Sequence, residues 1–105
     1  MPSTATSVKD AKTRVEVRHA AEHSRYELWD EGSLIGLADY RPGEAGVLVF
    51  HHTAIRTDRR GNGLGAALVR GALDDVRERG FRVVPACEFV EQFVRTNPAY
   101  ADLVV

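Results

Sequence analysis

The first half of the chain alternates between hydrophobic and polar positions with a period of two. This pattern begins at Val15 and recurs over residues 26–28. Residues 34–40 are rich in β-forming types, and Gly36 within them indicates a bulge or a close packing contact. Val47–Ile55 is a longer apolar run, typical of a strand covered on both faces. Short turn signals separate these segments, so we expect an antiparallel meander of four strands.

The spacing of apolar residues changes after this meander. From residue 63 to residue 79 they recur at helical intervals on one face, which predicts an amphipathic helix that Gly80 ends. Residues 81–86 predict a fifth strand. Phe89 and Phe93 belong to a short second helix, where we expect both rings in the core.

This second helix is expected to end by Asn97, because a residue before proline disfavours α geometry. The resulting order, β-β-β-β-α-β-α, predicts an α+β sheet with two C-terminal helices. Residues 1–13 are small, polar and aperiodic and are expected to form a flexible tail, which leaves residues 14–105 as one domain.

Composition and charge restrict the function classes. The 14 Lys and Arg residues against 15 Asp and Glu give a net charge of −1, so no global basic field attracts nucleic acid and an anion site must be local. One cysteine cannot form an internal disulfide, which favours a reducing, cytoplasmic location. The N-terminus lacks the apolar segment of a signal peptide, and no apolar run approaches the ~20 residues that span a bilayer, so we expect no membrane partner.

The segment between the fourth strand and the long helix is the most informative. Residues 55–65 read IRTDRRGNGLG, with three arginines and three glycines. Glycine lets backbone amides approach a ligand closely, and the first turn of a helix offers unpaired N–H groups and a positive dipole end. The segment therefore predicts a phosphate or pyrophosphate cradle, to which Arg56, Arg59 and Arg60 add positive charge.

Three nucleotide-binding motifs compete for this segment. A Walker loop is excluded because no G-x-x-x-x-G-K-[ST] string is present. The loose dinucleotide fingerprint fits residues 61–66, but the chain after residue 88 is too short for the doubly wound sheet that this fingerprint requires. The acetyl-coenzyme A signature, [QR]-x-x-G-x-[GA], matches residues 60–65 at each fixed position, in the strand–loop–helix context that it needs.

With this signature the chain resembles the small, single-domain branch of the GCN5-related N-acetyltransferase (GNAT) family. Three further segments carry the resemblance, which runs from about residue 15 to the C-terminus: HTAI at 52–55, PACEFV at 85–90 and NPAY at 97–100. The resemblance implies a mixed sheet, antiparallel and then parallel, in which strands four and five splay apart.

The resemblance also implies how acetyl-coenzyme A is bound. Its pantetheine arm would lie between the splayed strands, bonded to the backbone near Ile55 and Thr57, and its pyrophosphate would rest on the amides of residues 60–65. An amine would attack the thioester directly, while a base removes the ammonium proton and an acid protonates the leaving thiolate. The predicted cofactor contacts are Ile55, Arg56, Thr57, Arg59, Arg60, Gly61, Asn62, Gly63, Leu64 and Gly65.

Cys87 and His52 are the candidate catalytic residues. A lone cysteine is usually a small buried hydrophobe, but Cys87 starts the second helix, where the dipole favours a thiolate, and the resembling branch has a cysteine here. It would accept the acetyl group or act as the general acid, and His52 would be the base. His51 and His52 are expected on opposite faces of their strand, so we predict no zinc site. Tyr100 is an alternative acid, although its position near the C-terminus favours packing.

Two departures from the family pattern affect the acceptor side. Residues 19–25 leave room only for a turn where typical members insert one or two helices, and Val47–Ile55 lacks the usual acidic base. The resemblance therefore implies an open acceptor site. The sequence supports an acetyltransferase acting on a small amine or on a protein or peptide, and alternatively a non-catalytic acyl-coenzyme A sensor. An exposed edge strand would allow a weak homodimer, but a monomer is equally consistent.

Overall fold

The computed structural model describes residues 6–10 and 13–105 of the chain. Within these residues the chain forms one sheet of six strands and two α-helices. The strands are β1 (Thr6–Asp10), β2 (Thr13–Ala20), β3 (Arg25–Asp30), β4 (Ser33–Pro42), β5 (Val47–Ile55) and β6 (Arg82–Pro85). The helices are α1 (Leu64–Glu78) and α2 (Glu88–Thr96).

The strands lie in the sheet in chain order. Strands β1 to β5 form an antiparallel meander, and β6 pairs with β5 in parallel after the crossover through α1. This arrangement confirms the predicted α+β class and its change from antiparallel to parallel pairing. A short 3₁₀ turn, Ala21–His23, joins β2 to β3, as the length of that segment required.

The prediction of a flexible tail over residues 1–13 is wrong for Thr6–Asp10, which pairs with β2 as an edge strand. Edge pairing uses backbone hydrogen bonds and needs no alternating apolar side chains, so the sequence pattern gave no sign of it. Thr13, the last residue of that predicted tail, begins β2, and residues 1–5 and 11–12 lie outside the described residues.

Helix α1 packs its apolar face against the sheet. Leu68, Leu73 and Val76 on this face are fully buried. Gly71, also buried, allows a close approach to β2, because a Cβ at this position would lie 2.6 Å from Cγ2 of Val17. Gly80 follows the helix with a φ of 75°, which confirms the predicted C-terminal stop.

A buried polar cluster fixes the end of α1 to the sheet. Asp75 Oδ2 accepts hydrogen bonds from the hydroxyl of Tyr26 at 2.7 Å and from Nε of Arg79 at 2.6 Å. His19 stacks on Tyr26, and its Nε2 lies 2.6 Å from the hydroxyl of Tyr40. Burial, and then the charge of Arg79, lowers the pKa of His19, whereas burial and the bond to Asp75 raise the pKa of Tyr26.

Strands β5 and β6 pair over the whole length of β6, which is shorter than β5 and ends at Pro85. Their pairing covers Val47 to Phe50 on β5, and it ends where the N–H of Cys87 donates to the carbonyl of Phe50 at 2.8 Å. The chain then turns into α2, whose Val90 joins the same core as α1. The rest of β5 therefore presents its backbone to a gap. Among the described residues, no helix is long and apolar enough to cross a membrane.

Candidate acetyl-donor site

A cavity of about 520 Å³ occupies the gap beside the second half of β5. Its volume is typical of small-molecule sites. Its walls are the end of β5, the first turn of α1, one ring from α2, and the segment between β5 and α1, residues 56–63, which we call the glycine loop. The lining residues are His52, Thr53, Ala54, Ile55, Arg59, Arg60, Gly61, Gly63, Leu64, Gly65, Ala66 and Phe89.

Two of the three glycines in residues 61–65 are required by backbone conformation and the third by packing. Gly61 has a φ of 85° and Gly63 a φ of 73°, in the left-handed region where other residues are strained. No atom lies within 4 Å of a Cβ built at either position. Gly65 is helical instead, but its Cβ would lie 2.6 Å from Cζ of Phe89. The loop thus exposes its backbone to the cavity, and the ring of Phe89 packs on the first turn of α1.

The first turn of α1 offers amide donors to this cavity. The first hydrogen bond of the helix runs from the N–H of Ala67 to the carbonyl of Gly63 at 3.1 Å, and no described side chain caps this end. Helix geometry leaves the preceding N–H groups, those of residues 64–66, without intrahelical acceptors. These groups and the positive end of the helix dipole together suit an anion such as a diphosphate.

The three arginines of the loop differ in their electrostatic partners. Arg56 donates to Asp58 at 2.8 Å and lies outside the cavity, and Arg59 is paired with Asp30 at 2.5 Å. Arg60 donates through Nε to the carbonyl of Ile55 at 3.3 Å and has no carboxylate partner in the described part of the chain. Arg60 therefore carries the uncompensated positive charge at the cavity wall.

Seven of the ten predicted cofactor contacts line the cavity, and Arg56, Thr57 and Asn62 do not. Arg56 instead uses its N–H to bind the carbonyl of Ile35 at 2.8 Å. Asn62 donates through Nδ2 to the carbonyl of Arg59 at 3.3 Å, across the loop. The backbone N–H of Arg56 and the side chain of Asn62 thus brace the loop, while Arg59, Arg60, Gly61 and residues 63–65 line the cavity.

His52 lines the cavity at a bulge in β5. The register with β4 steps from Asp39↔His52 to Tyr40↔Phe50, which leaves His51 without an opposite residue. We predicted that the two histidines lie on opposite faces of the strand. That prediction assumes that side chains alternate between the two faces without interruption, and the bulge breaks this alternation. Both side chains are exposed, and His51 is not among the cavity-lining residues.

Cys87 is the N-cap residue of α2, as predicted, but it is set back from the cavity. Its Sγ lies 3.5 Å from Oγ1 of Thr53, and Thr53 lines the cavity while Cys87 does not. The thiol is partly buried against the core. The structure thus brings both candidate catalytic residues to the same end of the cavity, with a threonine hydroxyl between the thiol and the open space.

The expectation that Phe89 is a core residue is wrong. Phe93 is buried, but Phe89 is 44% exposed and lines the cavity. It lies in the first turn of α2, outside the buried face of that helix, and it rests on Gly65. Its apolar character alone gave no signal of this role, because the contact with Gly65 joins residues far apart in the chain.

Tyr100 is not at the cavity. It is buried, and its hydroxyl donates to Oδ1 of Asp74 at 2.7 Å, so its role in the structure is packing.

The described residues also contain no group of three or more His, Cys, Asp or Glu side chains that could hold a metal ion.

A second cavity, of about 290 Å³, adjoins the first across Ala66 and Phe89. It lies between α1 and α2 and is bordered by polar groups that include Arg70, Gln92 and Asn97. Arg70 lies over the ring of Phe93, 5.3 Å from its centre, and forms no ion pair with the described residues. The two cavities form a path from the strand gap over the end of α1.

Three solved structures are similar to this chain. A solution NMR structure from Staphylococcus aureus, assigned as a GCN5-like N-acetyltransferase, has a TM-score of 0.65 and 18% identity, over 85% of this chain and 86% of that chain. The IAA acetyltransferase of Bacillus cereus ATCC 14579 has a TM-score of 0.53 and 18% identity, over 70% of this chain and 52% of that chain. A protein from Desulfovibrio desulfuricans, assigned to the GNAT family, has a TM-score of 0.49 and 24% identity, over 74% and 52%.

This chain spans about half the length of the latter two proteins. The likeness to the Staphylococcus aureus structure establishes the fold, a GNAT-like mixed sheet. No curated protein matches the sequence. A family model described as GCN5-related N-acetyl-transferase matches residues 25–103, which include the glycine loop, both candidate catalytic residues and both helices. The chain therefore belongs to the GCN5-related N-acetyltransferase family.

Proposed function

We propose that this protein transfers an acetyl group from acetyl-coenzyme A to an amine. The observation that carries the proposal is the uncapped first turn of α1, which opens into a 520 Å³ cavity beside two left-handed glycines and beside Arg60, which has no carboxylate partner among the described residues. This combination supplies amide donors, a helix dipole and one free positive charge, which are the groups that a diphosphate needs.

The cavity also suits the rest of the donor molecule. The half of β5 beyond Phe50 has no partner on β6, so the backbone N–H and C=O groups on its edge away from β4 are available to the amides of a pantetheine arm. The second cavity lies between α1 and α2, next to the first turn of α1, where Arg70 would meet the phosphate on the ribose of coenzyme A. The acyl end of the donor would then lie near His52 and Thr53.

Acetyl-coenzyme A supplies an acetyl group that is activated as a thioester. His52 would accept the proton that the acceptor amine loses as its nitrogen forms a bond to the acetyl carbon. The Cys87 thiol, acting through the hydroxyl of Thr53, would give a proton to the sulfur that leaves when the carbon–sulfur bond breaks. The products are an acetylated amine and coenzyme A; His52 then releases its proton to solvent and Cys87 is reprotonated from solvent.

If the protein is an acetyltransferase, Cys87 has an alternative role in which it carries the acetyl group covalently. In that sequence the Cys87 sulfur would bond to the acetyl carbon and displace coenzyme A, and the amine would then take the acetyl group from Cys87. The partly buried position of the thiol behind Thr53 favours the general acid role.

A non-catalytic acyl-coenzyme A sensor is the second candidate function. The observation that favours it is the absence of Cys87 from the cavity wall, together with the lack of an acidic base on β5. Such a sensor would use the same glycine loop and Arg60 and would release no coenzyme A.

Calorimetric titration and a turnover assay separate these functions. We expect coenzyme A to bind the protein and thiol release from acetyl-coenzyme A to increase when amine acceptors are added. Binding without release supports the sensor, and a protein that gains the mass of one acetyl group supports the covalent route. If millimolar coenzyme A leaves the protein unaffected, the proposed donor site is wrong.

Replacing Cys87 by serine tests its chemical role. Serine is a favoured N-cap residue, so we expect Cys87→Ser to keep the start of α2 and the affinity for coenzyme A. If the thiol is the general acid, turnover falls by about 10²- to 10⁴-fold. Unchanged turnover would remove Cys87 from the mechanism.

A further inference from the structure

Asp39 is the residue of β4 that lies directly opposite His52. Side chains at directly opposite positions of an antiparallel pair project from the same face of the sheet, with Cβ atoms about 4.5–5.5 Å apart. This pair sits at the bulge, a feature that often re-aims side chains next to active sites. The carboxylate of Asp39 is therefore within reach of the His52 imidazole after side-chain rotation.

The charge of Asp39 is not used elsewhere in the described structure. The side chain is partly exposed and makes no hydrogen bond or ion pair with any described residue. Its opposite neighbour on β3 is Arg25, whose Nε donates to Glu27 at 2.8 Å. Glu27 also accepts a bond from Nε1 of Trp29 at 2.9 Å, so Arg25 is held in a separate network.

A carboxylate beside an imidazole has a definite chemical consequence. A histidine that acts as a base must present an unprotonated nitrogen to the acceptor and carry its proton on the other nitrogen. A carboxylate that accepts a hydrogen bond from that second nitrogen selects the required tautomer and stabilises the imidazolium that forms. Such bonds are often long in ligand-free structures and shorten in the working complex.

We propose that Asp39 is a positioning residue, which fixes the tautomer and orientation of His52 by accepting a hydrogen bond from its ring N–H. This proposal rests on the proposed acetyl transfer, in which His52 is the base. Asp39, on the neighbouring strand β4, would thus supply the carboxylate that β5 itself lacks. The residue acts through His52 and does not itself line the donor cavity.

The experiment compares Asp39→Asn, Asp39→Glu and the wild type in steady-state kinetics and by ¹⁵N NMR of the histidine rings. For Asp39→Asn we expect kcat to fall at least about tenfold, a part of the ~10²–10⁴-fold contribution of general acid–base catalysis. The KM for the acceptor and the affinity for coenzyme A should stay unchanged. Asp39→Glu should restore most of kcat, because it returns the carboxylate.

The NMR measurement gives a readout that needs no turnover. In the wild type we expect one dominant neutral tautomer of His52, and in Asp39→Asn a mixture of both. Glu16→Gln is the matched control, because it removes a charge from β2 that is already paired with Arg18. If Asp39→Asn does not fold, Asp39→Ser provides the same comparison.

Three results would overturn the proposal. An unchanged tautomer mixture in Asp39→Asn means that the two side chains do not interact. A raised acceptor KM with unchanged kcat means that Asp39 binds the acceptor ammonium directly. Equal kcat in all variants means that the carboxylate is not used. If the wild type binds coenzyme A but shows no turnover, the tautomer comparison alone decides the pairing, and the failure belongs to the proposed transfer.

Discussion

Replacing Gly63 by alanine tests whether the glycine loop holds the diphosphate. Gly63 has a φ of 73°, a conformation that costs an L-residue roughly 1–2 kcal/mol. We therefore expect Gly63→Ala to lower the free energy of unfolding by about 1–2 kcal/mol. For a domain of this size that corresponds to a decrease in Tm of roughly 4–16 °C.

The same substitution also places a methyl group at the cavity wall. The space within 4 Å of this Cβ is empty of protein atoms, so the methyl group would displace the ligand and not a side chain. Loss of one hydrogen bond to a charged group is worth about 1.5–3 kcal/mol, so the Kd for coenzyme A should rise roughly 10- to 100-fold. Calorimetric titration and thermal unfolding measure the two effects separately.

Gly80→Ala is the matched control, because Gly80 has a φ of 75°, has no atom near its Cβ and lies at the opposite end of α1. It should lose similar stability and keep the affinity for coenzyme A. Gly63→Asn should regain part of the stability, because asparagine tolerates the left-handed region, but it should not regain the affinity. If Gly63→Ala binds coenzyme A as tightly as Gly80→Ala does, the glycine loop does not hold the diphosphate.

Three further predictions concern charge, packing and pH. Arg60→Gln should raise the Kd for coenzyme A about tenfold at low salt and less at high salt, whereas Arg56→Gln, whose charge is already paired with Asp58, should change little. Gly71→Ala should destabilise the fold by about 1–2 kcal/mol, since overpacking against Val17 exceeds the ~1 kcal/mol gain in helix propensity. Because burial lowers the pKa of His19 below 6.5, the unfolded chain binds more protons, and stability should fall as the pH decreases through about 6.5.

Each of these predictions has its own control. Equal losses of affinity in the two arginine variants would mean that Arg60 has no special place in the cavity. The double variant with Val17→Ala should recover stability lost by Gly71→Ala, and an additive loss would contradict the steric account. The pH dependence measured by urea unfolding should become shallower in His19→Gln, and an unchanged slope would assign it to other groups.

The sequence by itself determined the order of the elements from β2 onward and marked the glycine loop between β5 and α1. The period of two before residue 56 and the helical period after residue 63 required a meander followed by a helix, because each period places apolar side chains on one face of a different element. The glycine loop was recognisable for the same local reason. The backbone has a positive φ at residues 61 and 63, and such positions favour glycine whatever the rest of the fold is.

Only the tertiary structure decided which side chains act together. Thr6–Asp10 became a strand through backbone pairing, for which its side chains carry no pattern. Phe89 lines the cavity because Gly65, on another helix, leaves room for its ring. The charge of Arg59 is compensated by an ion pair with Asp30 on β3. The position of Asp39 opposite His52 belongs to a register that a one-residue bulge interrupts. Apart from the β1–β2 hairpin, these contacts join residues distant in the chain, so the local periodicity of the sequence cannot encode them.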